Sequence, residues 1–482
     1  MNNNHLSDLI TRQDISIRKA MALMDRNAKG ILFVVDDEEK ICGVVTDGDV
    51  RRGLLKDILI DDKLTTVMNR SFIAFHQDVS YATVTEKFGS KYKYIPILDD
   101  QGRIVDYYLF SVGARIPIAK PSLSGNEAKY LLECVATNWI SSQGRFVDRF
   151  EKEFAAFIGC KFAVAVANGT VALHLALEAI NIGSNDEVIV PSLTFIATAN
   201  AVTYTGAKAV FADSEMETWN LDFRKIEGKI TKRTKAIIPV HLYGQPAKMD
   251  EIMEIANKHN LYVIEDAAEA HGAVYKGKRA GGIGHIGVFS FFGNKIITTG
   301  EGGMLVTDNE EIYQRARILR DHGMDPTKKY WHPYIGFNYR MTNIQSAIGC
   351  AQMERIEDIL HKKQQIAQIY EDCLHDLEDV LLPPRNDWSK NIYWMYAIVL
   401  TGNLAQKNIR DTLISLLQKK HIECRPFFYL IHQMPPYQIS HLKMEIAEYL
   451  SRNGICLPSY VDMEENETRH VCAILKQLIS NV

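Results

Sequence analysis

The sequence predicts an α/β protein. A large, mostly parallel sheet covered by helices is followed by a smaller α/β domain and preceded by an α+β module. Three observations predict this. From about residue 122, helical and strand-like stretches alternate, as in chains of βαβ units. The run Phe162-Ala163-Val164-Ala165-Val166-Ala167 is apolar with no polar face, which suits a strand buried on both sides. Residues 14–110 carry a weak internal repeat of a different kind.

Composition narrows the class. The chain has 482 residues, enough for several domains; 46% are hydrophobic and 24% charged. A net charge of −4 gives no electrostatic argument for nucleic acid. The eight cysteines are scattered without a CxxC pair, which argues against a disulfide framework or a zinc site and fits a reducing compartment. The first residues, MNNNHLSDLITRQD, lack the basic start and apolar core of a secretory signal, and no apolar run reaches membrane-spanning length. A cytoplasmic protein with no membrane and no nucleic-acid partner is expected.

The elements follow in order. In each half of 14–110 a helical stretch precedes two β runs joined by a turn. Ile17, Ala20, Met21 and Met24 follow helical spacing in the first half, and residues 78–90, DVSYATVTEKFGS, supply the helical stretch of the second. Asp36-Asp37-Glu38-Glu39 and Asp99-Asp100-Gln101-Gly102 supply the turns. The run GVVTDGD places Thr46 and Asp49 just past a strand. There they meet a ribose diol or phosphate, or else Asp47 and Asp49 merely make a turn and cap a helix starting near Val50. The segment resembles a tandem cystathionine-β-synthase (CBS) domain pair. That resemblance implies an adenosine nucleotide as ligand, with Thr46 and Asp49 at the ribose; the second half has no matching Thr-x-x-Asp.

Residues 113–121, rich in proline at 117 and 121, read as a linker. Helices then follow around 127–138 and 149–158. Strands follow at 162–167, 187–190, 209–212, 236–240 and 261–264, and the helix VALHLALEAI comes right after the first of them. In such sheets ligands bind at the carboxyl ends of strands, where the candidate motifs lie. Asn168-Gly169-Thr170 joins a strand end to a helix start, either an anion site or an ordinary N-cap. Phe195, past the next strand, either stacks on a flat ring or belongs to the core. Asp266 closes LYVIED, where a buried carboxylate needs a partner: a protonated ring nitrogen, or the next segment's N–H groups. Lys295 follows the run VFSFFGN and precedes glycines 300, 302 and 303. It is either a solvated loop lysine or one set in an apolar wall, where its ammonium would be desolvated and its amine free to attack an aldehyde.

Taken together, residues 117–482 resemble the sugar aminotransferases of the fold-type-I pyridoxal phosphate (PLP) class. The resemblance implies pyridoxal 5'-phosphate as cofactor, with Lys295 as its Schiff-base lysine. Asp266 pairs with the pyridine nitrogen and Phe195 stacks on the ring. Gly169, Thr170 and Ser290 hold the phosphate, and Glu269, a position often occupied by Gln, contacts the ring hydroxyl. The stretch GFNYRMTNIQSAIG implies a homodimer with shared active sites, in which Asn338 reaches the neighbouring chain's cofactor phosphate. Arg340 is a candidate for substrate phosphate or a structural ion pair. His241 and Tyr243, in PVHLYGQP, either approach the substrate or pack. The aromatic stretch 425–437 is a candidate entrance.

The implied organisation is a CBS pair over 1–112, a linker over 113–121, a PLP-binding large domain over 122–375 and a small domain over 376–482. The implied reaction moves an amino group from L-glutamate to a nucleotide-linked 4-keto-6-deoxyhexose. GDP-4-keto-6-deoxymannose, giving GDP-perosamine, comes first and a UDP-linked 4-keto-6-deoxy sugar second. A rival from another class is a non-catalytic nucleotide sensor joined to a retired enzyme domain. Its signature, loss of Lys295 or Asp266, is not seen.

Overall fold

The computed structural model describes residues 6–27, 29–79, 94–109 and 115–481. The chain forms two compact units, Met1–Ala114 and Arg115–Val482.

The first unit is built from a repeated pattern. Ile10–Arg12 lies parallel to Ile31–Val35, which pairs antiparallel with Ile41–Thr46. Phe75–His76 lies parallel to Tyr94–Leu98, which pairs antiparallel with Ile104–Leu109. The turns repeat to the atom. Asp36 Oδ1 accepts the N–H groups of residues 38 and 40, and Asp99 Oδ1 those of residues 101 and 103. The left-handed residue of each turn is Glu39 or Gly102. Helix Ile17–Asn27 buries Ile17, Ala20 and Met24, but Met21 lies at the edge of that face and is 38% exposed. The second helical stretch, from residue 80 onward, lies outside the described residues.

The second unit carries a seven-stranded sheet. We number its strands in chain order: β1 Phe162–Val166, β2 Glu187–Pro191, β3 Lys208–Ala212, β4 Thr234–Ile237, β5 Tyr262–Asp266, β6 Ile286–Ser290 and β7 Gly303–Thr307. Across the sheet they run β1-β7-β6-β5-β4-β2-β3. Only β7 is antiparallel to its neighbours. Val164, Val188, Ile264, Val288 and Leu305 are fully buried, as their apolar runs require. A four-stranded antiparallel sheet, with Tyr396–Leu400 and Gly454–Leu457 at its centre, forms nearer the C-terminus. The long helix Ile356–Leu374 precedes it in the chain.

The segment read as a linker is, from Arg115 on, part of this unit. Ile116 donates to the His421 carbonyl (2.8 Å) and accepts from the Glu423 N–H (2.9 Å), while Ile118 is buried. Proline stops helix formation there, but it leaves an extended chain free to pair at a sheet margin.

Candidate active site

Strands β5 and β6 set the frame. They pair in parallel with Asp266 opposite Val288, so both end at the same edge of the sheet. Side chains alternate along a strand, so the two acids that end β5 diverge. Glu265 serves the scaffold: it accepts N–H groups from Gly281 (2.8 Å) and Ile283 (2.6 Å) and is bonded to His241 (2.9 Å). Asp266 faces the site. Its Oδ2 accepts the Thr198 hydroxyl (2.8 Å) and its Oδ1 the Ala268 N–H (3.2 Å). Among the described residues no cation pairs with it within ion-pair distance. Burial pushes its carboxyl upward, against those two hydrogen bonds and the nearby Lys295. A buried carboxylate with donors but no cation is suited to a positively charged ring nitrogen.

Lys295 lies on a loop folded back on itself after β6. The Phe291 N–H meets the Gly302 carbonyl, and the Thr298 hydroxyl and Thr299 N–H both reach the Phe291 carbonyl at 2.9 Å. Its side chain is 11% exposed, with Nζ 3.9 Å from Glu269 Oε1. Nζ also sits 3.8 Å from the ring centroid of Trp394, whose Nε1 donates to the Asn294 carbonyl (2.7 Å). Burial lowers the Lys295 ammonium, while Glu269 and Asp266 oppose that shift. Burial likewise pushes Glu269 up to about 7, against the pull of Lys295 and of the Tyr243 N–H, which donates to its Oε2 at 2.8 Å. Proton affinities of acid and base are thus drawn toward each other, as expected where protons move.

At the far end, Gly169 opens the helix Gly169–Ala179, and Asn168 caps it by accepting the Val171 N–H (3.0 Å). A Cβ at Gly169 would lie 2.7 Å from the Ser290 Cβ, so glycine is needed for the helix start to close on β6. Gly169, Thr170 and Ser290 therefore share one corner at a helix N-terminus, where free N–H groups favour an anion.

Other expected residues fall in different places. Phe195 is 56% exposed, not core, and its ring lies 5.9 Å from Phe428. Phe428 stacks on Tyr243 (5.5 Å), and Tyr243 in turn faces Trp394 (6.3 Å). These rings form an aromatic wall running from Phe195 to Lys295. Tyr243 itself is packed: its hydroxyl accepts the Phe428 N–H (3.2 Å). His241 is also packed. It is fully buried, its Nδ1 accepts the Ala247 N–H (3.0 Å) and its Nε2 is spent on Glu265, so it presents nothing to a substrate.

Arg340 pairs with Asp321 and donates to Asn338 Oδ1 (3.2 Å), which is the structural alternative for this residue. Asn338 is exposed. In the first unit, Thr46 caps the helix Asp47–Leu54 in a reciprocal box with Asp49, and Arg52 pairs with Asp49. The cap therefore falls at Thr46 and occupies the carboxylate considered for a ribose. The aromatic stretch 425–437 contributes Phe427 and Phe428 to the wall, while its Ile431 and His432 are buried.

Sequence reasoning missed Thr198 and Trp394. Thr198 had a signal, a hydroxyl one helical turn after Phe195 in an apolar stretch. Trp394 had none, since it meets Lys295 from 99 positions farther along the chain.

Known proteins resemble this chain over most of its length. The DegT/DnrJ/EryC1/StrS aminotransferase family model matches residues 121–476, and the CBS domain model matches residues 7–56. A GDP-perosamine synthase of Caulobacter vibrioides is 50% identical over 369 residues, covering 76% of this chain and 98% of that protein. A GDP-perosamine synthase of Escherichia coli O157:H7 is 46% identical over 366 residues, covering 76% and 99%. The solved structure of S. venezuelae DesV is similar with a TM-score of 0.71 and 31% identity, covering 77% of this chain and all of that one.

Proposed function

The chain belongs to the DegT/DnrJ/EryC1/StrS aminotransferase family, and from that premise we propose that it transfers the amino group of L-glutamate to the 4-keto carbon of GDP-4-keto-6-deoxymannose, giving GDP-perosamine. It is a PLP-dependent sugar aminotransferase with a CBS domain at its N-terminal end. The choice of sugar is supported by relatives named GDP-perosamine synthase that align over nearly their whole length.

The observation that carries the site assignment is a desolvated amine, Lys295, beside two buried carboxylates. When bound, PLP supplies an aldehyde that accepts an amino group and a ring that stores electrons. Asp266, braced by Thr198, would hold the charge of the ring nitrogen. The helix start at Gly169 and Thr170, with Ser290, would hold the phosphate, and Phe195 would cover one face of the ring. Lys295 Nζ, neutral more readily than an exposed amine, acts as nucleophile and then as the base that moves the proton. Glu269 gives that proton a second resting place within reach of Nζ. The closed loop and the Trp394 ring keep water from the amine.

The reading includes a homodimer. Exposed Asn338 would serve a neighbouring site, and Leu132, Val135, Trp139 and Ile140 leave an apolar surface for a second chain to cover. In the first unit, an adenosine nucleotide is the proposed ligand, one that would have to draw Asp49 from Arg52.

The test is to incubate the protein with PLP, L-glutamate and a panel of GDP- and UDP-linked 4-keto sugars, identifying products by mass and NMR. GDP-perosamine is the expected product; amination of only a UDP-linked sugar overturns the carrier assignment. Lys295→Ala should fold and lose steady-state turnover, and retained turnover would reject Lys295.

A further inference from the structure

Helix Ile356–Leu374 buries Ile356, Ile359, Leu360, Lys363, Ile366, Ala367, Tyr370 and Leu374. These positions follow the 3.6-residue period of an apolar stripe, and Lys363 occupies a place in it that leucine would ordinarily fill. Its side chain is 2% exposed. Lysines are almost never buried without a charged partner, yet no carboxylate pairs with this one among the described residues. The ammonium instead donates to the Trp394 carbonyl (3.2 Å), the Ser459 hydroxyl (2.9 Å) and the Ser459 carbonyl. An ammonium has three donors, and all are used. Burial pushes Lys363 down to about 7, with no charged group opposing it.

Such a costly group calls for a reason, and the acceptors suggest one. Ser459 also donates to the Trp394 carbonyl (3.3 Å) and accepts the Tyr396 N–H (3.2 Å), so Lys363 and Ser459 together clamp the main chain at residues 394–396. The side chain carried by that clamped backbone is the indole that touches Lys295 at Nζ and, through Asn294, at the preceding carbonyl. We propose that Lys363 is a positioning residue for Lys295: by fixing the main chain of Trp394 it holds the indole face against the reactive nitrogen. This rests on the reading of Lys295 as the cofactor-bearing amine. The indole face attracts positive charge, so a correctly seated Trp394 favours the protonated state at Nζ.

The test uses the cofactor-loaded full-length protein and reads the pH midpoint of its visible absorbance, which reports protonation at Lys295 Nζ. Lys363→Met keeps an unbranched side chain of similar bulk, ending one heavy atom earlier, and removes its donors. The midpoint should fall by about half a pH unit, the scale of one cation–aromatic contact. Trp394→Leu should lower it likewise, and the double variant should add nothing further, since one effect acts through the other.

A merely structural lysine would behave differently. Replacing a buried charge by an apolar side chain of similar size is often neutral or stabilising, and would leave the midpoint in place. A folded Lys363→Met variant with the wild-type midpoint, or additive effects of the two substitutions, overturns the proposal. Should Lys363→Met not fold, Ser459→Ala removes one acceptor and should lower the midpoint less; an unmoved midpoint there overturns it equally. Failure of the underlying reading looks different: wild-type protein would then show no visible band and no borohydride-trapped label on Lys295.

Discussion

Replacing Glu269 by Gln removes one charge and little else. The Tyr243 N–H can still be accepted by the amide oxygen, so the backbone at 243 keeps its partner. What is lost is a carboxylate 3.9 Å from Lys295 Nζ. Coulomb's law puts that interaction at about 1 kcal/mol in water and about 4 kcal/mol at an effective dielectric constant of about 20. Converted to proton affinity, this is a fall of about 0.8 to 3 pH units for Lys295. The assay is the rate at which apoprotein takes up PLP, followed by absorbance across pH; the rate rises as Nζ loses its proton. The midpoint of that profile should move down in Glu269→Gln. A midpoint that stays or rises would refute the claim that Glu269 holds the proton on Lys295. Stability gives a second reading of the same charge. Burial raises the folded carboxyl from 4.5 to about 7, so its contribution is full below the unfolded value and lost as pH rises through 7. Apoprotein should therefore lose denaturant resistance between about pH 4.5 and 7, and Glu269→Gln should lose less.

Three further outcomes follow from the geometry. Gly169→Ala places a methyl 2.7 Å from the Ser290 Cβ and should weaken PLP binding by about 1–3 kcal/mol, measured by fluorescence titration; unchanged affinity would remove Gly169 from the phosphate corner. Thr198→Val deletes a hydrogen bond to the buried Asp266 and should reduce kcat/KM by a factor corresponding to about 1.5–3 kcal/mol; an effect on melting temperature alone would make Thr198 a scaffold residue. Calorimetry with AMP and ATP should detect binding to wild-type protein that Asp49→Ala abolishes, and no heat from either nucleotide would leave Asp49 as a helix cap only.

The sheet was legible because its strands are buried on both faces. Continuous apolar runs marked β1, β2, β3 and β5 to within two residues, and Asp266 and Lys295 stood out as charges at their margins. Beyond that, legibility ended where contacts are remote in sequence. Nothing in LYVIED distinguishes the scaffold acid 265 from the site acid 266; only the alternation of the strand does. His241 looked available because it follows a strand, but its ring turns under the sheet to Glu265. For Phe195 apolarity alone left core and ring-stacking both open, and the residue is largely exposed. Lys363 carried no visible signal except a charge at an apolar period. The Asp36 and Asp99 turns were readable since their bonds span four residues or fewer.

The indole over Lys295 has a consequence for biosynthesis. Asn294 and Trp394 are 100 residues apart, so at translation rates of about 5–20 residues per second the amine leaves the ribosome about 5–20 s before its roof. During that interval the nascent loop lacks the aromatic cover that the folded chain lays over its amine. The last fifth of the polypeptide thus supplies the cover of a nucleophile made long before it.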